Sequence, residues 1–151
     1  MPEAASGTLA VAVEARMEGG IYALNRFLMT LQGKRMPVRD LTVGMGPGES
    51  VVVALFECEP ETARRYMALL SSLEDVREVR EAGEVLEVAL AATGEGWREA
   101  AVRAGVVAHK DGGTVVASGG PGAVEGWLRM LGDGVEDAIR LGPVARPGRG
   151  R

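Results

Sequence analysis

Twice in succession along this chain the apolar residues switch from a period of two to a period of 3.6 and back, in the order strand, helix, strand, strand, helix, strand. A unit whose second strand turns straight into a third pairs its strands antiparallel and carries both helices on one face of the sheet. The pattern therefore predicts an α+β fold of two tandem ferredoxin-like βαββαβ units, one over residues 7–82 and a smaller one over 83–142. A flexible basic tail over 143–151, carrying Arg146, Arg149 and Arg151, is expected to follow. At 151 residues, 46% of them hydrophobic, the chain has enough apolar surface for two small cores.

In the first unit, Leu9, Val11 and Val13 alternate with Ala10 and Ala12 over Thr8–Glu14, the pattern of a half-buried strand. A turn at Glu18, Gly19 and Gly20 leads to Ile21, Leu24, Phe27, Leu28 and Leu31, one helical stripe with a stop at Gly33. Pro37 pushes Met36 toward an extended backbone, so Val38, Leu41 and Val43 begin a second strand, followed by a turn over Gly44–Gly48. Ser50–Cys58 is almost wholly apolar, as in a central strand covered on both faces. Pro60 suits a first helical position; the stripe from Ala63 to Leu73 stops near Glu74 and Asp75, and Val76 and Val79 start a fourth strand. With helices on one face only, Ala10, Ala12, Val52, Ala54 and Phe56 are expected on the uncovered face. The sister unit or a second copy of the chain would cover it, which makes a homodimer the expected assembly.

The second unit repeats the order. Leu86, Val88 and Leu90 alternate with Glu87, Ala89 and Ala91, and Trp97, Ala101 and Ala104 mark a short helix. Val106–His109 and Thr114–Ser118 flank Asp111-Gly112-Gly113, a hairpin signal. Gly119–Gly122 leads into the helical stripe Val124, Trp127, Leu128 and Leu131, and Ala138–Leu141 closes the unit as a strand.

Little in the chain promises chemistry. A net charge of -4 argues against a nucleic-acid partner or an anionic membrane surface, and no apolar run approaches the roughly 20 residues that span a bilayer. One cysteine and no secretory leader point to a cytoplasmic protein without intrachain disulfides. The one histidine, His109, sits in a hairpin strand without a nucleophile beside it, and Cys58 reads as a small buried hydrophobe. One histidine and one cysteine make no metal site of the usual nitrogen and sulfur kind, and no cofactor is expected. Gly119-Gly120-Pro121-Gly122 lacks a Walker lysine and the parallel context of a dinucleotide fold, so it reads as a tight turn. What remains is the Gly19-Gly20 turn, which leaves backbone N–H groups at the start of a helix open to a small carboxylate-bearing ligand.

Thr8-Leu9-Ala10-Val11-Ala12-Val13-Glu14, the glycine turn, the long helix and Val38-Arg39-Asp40-Leu41-Thr42-Val43-Gly44 together resemble an ACT domain, and more narrowly the regulatory small subunit of acetolactate synthase. Arg103–His109, Ala117–Glu125 and Ile139–Gly142 are similar to segments of that family in the same order, so the resemblance spans about Thr8 to Gly142. It implies a non-catalytic subunit that binds and activates the catalytic subunit, which holds the thiamine diphosphate, flavin and magnesium. It also implies a branched-chain amino-acid effector bound between the ACT domains of two protomers. The positions implied for that effector are Met17, Gly19, Gly20 and Ile21 of one chain and Pro37 and Val38 of the neighbouring one. Met17 stands where the family has its first asparagine, and Arg35 and Pro37 stand where it has a glycine and a second asparagine. Each lost polar anchor weakens effector binding by about 1–3 kcal/mol, roughly tenfold or more. Arg16 and Arg35 are nearby cations that offer a carboxylate another route. The alternative function is a free-standing ACT-type amino-acid sensor acting on another enzyme or a transcriptional regulator.

Overall fold

A computed structural model describes residues 9–146. Thr8, the expected start of the first strand, and residues 147–151 of the expected tail lie outside the described residues. The chain divides into two compact units, with the boundary between Gly83 and Glu84.

The first unit contains β1 (Val11–Met17), α1 (Gly20–Gly33), β2 (Val38–Gly46), β3 (Glu49–Phe56), α2 (Pro60–Ser71) and β4 (Val76–Glu81). Its antiparallel sheet has the order β2-β3-β1-β4, the ferredoxin-like arrangement expected. Val11, Val13, Ala15 and Met17 of β1 and Val52, Ala54 and Phe56 of β3 pack against Ala23, Leu24, Phe27 and Leu31 of α1 and Ala63 and Leu70 of α2. The Phe56 ring lies 5.4 Å from that of Tyr66 on α2.

That core corrects the expected uncovered face. Val52, Ala54 and Phe56 are buried under the helices, because they stand directly opposite Ala15, Val13 and Val11. Directly opposed residues share a face, so β3 takes its orientation from β1. An unbroken apolar run has no alternation of its own to reveal this. The open face instead carries Ala12, Glu14 and Arg16 opposite Leu55, Val53 and Val51. Ala10 precedes the first residue of β1.

Charge occupies the centre of that face. Glu14, only 4% exposed, accepts a hydrogen bond from Arg80 Nε at 2.8 Å and has Arg16 at 3.7 Å. Arg16 pairs further with Glu49 at 3.3 Å and Glu78 at 4.0 Å. A buried carboxylate costs several kcal/mol unless cations and hydrogen bonds answer it, and β4 supplies Arg80 directly opposite.

The ends of several elements fall elsewhere than the sequence pattern placed them. The helix α1, by contrast, ends at Gly33 as expected, in a Schellman motif, with Met36 N donating to Leu31 O at 3.0 Å and Arg35 N to Gln32 O at 3.1 Å. Arg35 therefore holds the left-handed position, at φ 51°. The strand β2 runs on through Gly44 and Met45 to Gly46, which faces Glu49 across the two-residue turn Pro47-Gly48. The helix α2 stops at Ser71, before Glu74 and Asp75, where the Ser71 and Ser72 hydroxyls donate back to Ala68 O and Leu69 O.

The second unit contains β5 (Val85–Thr93), α3 (Trp97–Ala104), β6 (Val107–Asp111), β7 (Thr114–Gly119), α4 (Pro121–Leu131) and β8 (Val135–Ala145), with the sheet order β6-β7-β5-β8. Ala89 and Ala91 of β5 and Val115 and Ala117 of β7 face the core with Trp127 and Val124 of α4. Trp127 is fully buried, and its indole N–H donates to Trp97 O at 3.1 Å. An indole of that size leaves room only for small strand residues beneath it, so the alanines point inward while Val88 and Leu90 face the open side, opposite Leu141 and Ile139. The guanidinium of Arg140 links β8 to Glu87 of β5 and Glu125 of α4. Burial alone would lower its pKa, but the hydrogen bonds and charge of Glu87 and Glu125 outweigh that and raise it.

The last strand is longer than the expected Ala138–Leu141, and residues 143–145, expected in the tail, belong to it. The pairing with β5 shifts register between Leu86 and Val88. Gly142, at φ 145°, permits this, since a Cβ there would lie 3.1 Å from Leu86 O.

The left-handed Arg35 yields a stability prediction. Arg35→Gly relieves a left-handed cost of about 1–2 kcal/mol and adds part of a glycine entropy penalty of about 0.5–1 kcal/mol. The variant is expected to be more stable by about 0.5–1 kcal/mol, read as a raised urea midpoint at an unchanged slope.

Candidate functional site

The turn from β1 into α1 is built by two elements that flank it in space but not in sequence. Because β4 pairs with β1, the loop between α2 and β4 lies beside the turn. Glu18 N donates to Asp75 O at 2.9 Å, and the Glu18 carboxylate pairs with Arg77. Gly19 caps α1 at φ 105° without a side-chain hydrogen bond, and the first turn of the helix contains no acidic residue. The partial positive charge of the helix start is therefore unanswered from within α1.

Asp75 answers it from the neighbouring loop. A Cβ built on Gly19 would lie 3.6 Å from Asp75 Oδ1 and 3.1 Å from the Ala23 Cβ. Asp75 Oδ2 pairs with Arg26 Nε of α1 at 3.4 Å. A carboxylate arriving at this helix start meets the like charge of Asp75, whereas an ammonium or neutral polar group does not. Beyond the turn, Ile21 and Tyr22 are 63% and 80% exposed, an apolar pair projecting outward from the first turn of α1.

The residues proposed from sequence separate into two groups. Met17, Gly19, Gly20 and Ile21 lie at one end of the first sheet; Met17 stands opposite Ser50, and its side chain is fully buried in the core. Pro37 and Val38 lie at the other end, where Val38 stands opposite Phe56 and Pro37 O accepts from Glu57 N at 2.8 Å. Six residue steps along β3, from Ser50 to Phe56, separate the two ends, about 20 Å at about 3.3 Å per step. One chain does not bring the two groups together. Of the two cations considered, Arg16 is drawn into the ion cluster on the open face, and Arg35 is exposed at the end of α1.

Asp75, Glu18 and Tyr22 were not singled out from sequence. The signal for Asp75 was the topology itself, since a fourth strand beside the first places the residue before that strand next to the first turn. Elsewhere, His109 is exposed on β6, and Cys58 follows β3 half-buried, its thiol pushed up by burial. Among the described residues no group of three or more His, Cys, Asp and Glu side chains is placed to hold a metal ion, and no helix is long and apolar enough to cross a membrane.

No protein-family model matches the chain, and no curated protein matches it by sequence. Among solved structures it is similar to the acetolactate synthase small subunit from Thermotoga maritima, with a TM-score of 0.75 at 16% identity, covering 90% of this chain and 95% of that one. An unknown protein from Galdieria sulphuraria matches at a TM-score of 0.42 and 12% identity, covering 88% of this chain and 97% of that one, too distant in shape to carry an argument. The first match establishes a shared fold across both units of this chain.

Gly19→Ala is expected to lose about 1–3 kcal/mol, because the left-handed backbone and the Ala23 contact both penalise a methyl group. Gly20→Ala, at φ 60° with nothing within 4 Å, is expected to lose less. Urea midpoints of the two variants rank them. The raised pKa of Cys58 leaves little thiolate at neutral pH. Its alkylation by iodoacetamide at pH 7.5 is expected to be slower than that of free cysteine, and to keep rising above the pH at which free cysteine levels off.

Proposed function

We propose that this chain is a non-catalytic regulatory subunit of the acetolactate synthase type, with an ACT domain over 7–82 and a second domain over 83–142. It works as a homodimer bound to a thiamine-diphosphate-dependent catalytic subunit. The observation that carries this reading is the fold match over nine-tenths of both chains, through both units in order, to a protein described as that enzyme's small subunit. A single ferredoxin-like unit is a common scaffold and would say little about function. A match that takes in both units over nine-tenths of each chain narrows the field.

In this reading the effector site lies across two copies, with the glycine turn of one chain meeting the Pro37-Val38 end of another. Asp75 beside the turn and Met17 in place of an asparagine both disfavour the carboxylate of a branched-chain amino acid there. Assembly and activation are accordingly the retained functions, and valine feedback is weak.

The test combines the purified chain with an acetolactate synthase catalytic subunit. Co-elution with a rise in turnover is expected, with valine causing little inhibition at concentrations that inhibit an asparagine-bearing relative. If the chain neither co-elutes nor raises turnover, the reading fails. A thermal-shift hit on an amino acid other than Val, Leu or Ile, in the absence of co-elution, would instead favour a free-standing sensor.

A further inference from the structure

The open face of the second sheet is apolar across all four strands. His109 stands opposite Val116, Val116 opposite Leu90 and Leu90 opposite Ile139, which makes one row. Val107, Ser118, Val88 and Leu141 form the next row by the same pairings. Ala89 and Ala91 of β5 and Val115 and Ala117 of β7 alternate with these residues and lie in the core, so both rows face away from the helices. Val107, Ile139 and Leu141 are 74%, 56% and 51% exposed. One ionisable side chain stands in the rows, His109 at the β6 edge. The carboxylates Asp111 and Asp137 lie beyond one end, opposite Thr114 and Ala92. A contiguous apolar patch with a polar rim marks a contact surface.

Charge and side-chain size select a second copy of the same face as its cover. A surface with charge at its centre would leave those ions against the apolar rows without partners. Of the two open sheet faces that a copy of this chain presents, the first carries Glu14, Arg16 and Arg80, and only the second is apolar. Two identical faces meet about a dyad lying in the plane between them. With the dyad along the strands, β6 lies over the partner's β8 and Asp111 over the partner's Asp137, which gathers four carboxylates at one end of the contact. With the dyad across the strands, each strand lies over its own copy running the other way, and the carboxylates go to opposite ends. The row His109, Val116, Leu90 and Ile139 then lies over the partner's row of Val107, Ser118, Val88 and Leu141. In the first three of these pairs a larger side chain meets a smaller one, as interdigitation of two packed sheets requires. Four strands about 4.8 Å apart, over the five residues of β6 at about 3.3 Å each, make a footprint of about 300 Å² on each copy. A standard interface uses about 800 Å² per partner, so this pairing is weak and reversible.

We propose that the second unit pairs face to face with a second copy of itself, about a dyad perpendicular to its strands. The inference does not rest on the regulatory reading, since it uses the second unit alone; a homodimer formed through the first unit would double every mass below and leave the comparison unchanged. The test is sedimentation equilibrium of the full chain from about 5 to 500 µM. The wild-type mass is expected to double across that range, half-way at about 20–200 µM. Ile139→Asp and Leu141→Lys each put a charge into the contact and are expected to weaken pairing at least about tenfold. An equimolar mixture of the two variants is expected to recover the doubling, because only the dyad across the strands sets position 139 of one copy against position 141 of the other. Both changes replace exposed side chains, so unchanged urea midpoints at about 5 µM are expected, and Val107→Asp serves as a third disrupting variant. A wild-type mass that does not change with concentration, variants that associate as the wild type does, or a mixture of folded variants that stays at the single mass would each overturn the proposal. If the wild type stays at the single mass while Ile139→Asp loses co-elution with the catalytic subunit, the face belongs to that partner and not to a second copy.

Discussion

The antiparallel register of β1 on β3 decides which residues of the first unit meet helices and which do not. With Val13 opposite Ala54, the residues Val11, Val13, Ala15 and Met17 and the residues Phe56, Ala54 and Val52 form one surface beneath α1 and α2. A slip of one residue would carry all of β3 to the other face. It would bring Val51, Val53 and Leu55 under the helices and leave Phe56 without its Tyr66 contact. The same register places Glu14 next to Val53 on the open side, where β4 answers it with Arg80. The ion pair of Glu14 with Arg80 acts as a second register lock, between β1 and β4: a slip of β4 by one residue would carry Arg80 to the helix face and take it from the buried carboxylate.

The second unit reaches the same topology with a different division of volume. The first core shares its bulk among Phe27, Phe56, Met17 and several leucines. The second concentrates it in Trp127, and the strands beneath contribute Ala89, Ala91 and Ala117. Moving the larger strand residues Val88 and Leu90 to the open side leaves that sheet with an apolar outer face that includes Ile139 and Leu141, 56% and 51% exposed. The first sheet carries charge at the centre of its open face. Two units of one topology thus present opposite chemistry on corresponding faces, which a duplicated fold alone would not require.

Much of this was legible in the sequence, and the failures have a common cause. Element order, the Asp111-Gly112-Gly113 hairpin and Pro60 at a helix start rest on local chemistry, and each appears in the structure. The orientation of β3 did not, because an apolar run carries no alternation and only the pairing with β1 selects its inner face. Gly33, read as a helix stop, is the last residue of α1, while the motif that follows, with bonds from Arg35 and the buried Met36, left no local mark. The candidate site was half legible: the glycine turn follows from Gly19 and Gly20, while Asp75 enters through strand order and left no local mark.

Strand order also limits what the candidate site can be. In a β2-β3-β1-β4 sheet, β1 runs toward the glycine turn and β2 starts from the opposite end, so the two loops cannot meet within one unit. A ligand touching both must bridge two copies, and its binding energy is then linked to assembly: whatever stabilises the pair raises ligand affinity by the same factor. With Met17 buried and Asp75 beside the helix start, this chain offers a carboxylate ligand few favourable contacts at the turn. The linkage is reciprocal, so a ligand bound this weakly could shift such a pairing only by as much as its own differential affinity for the paired state.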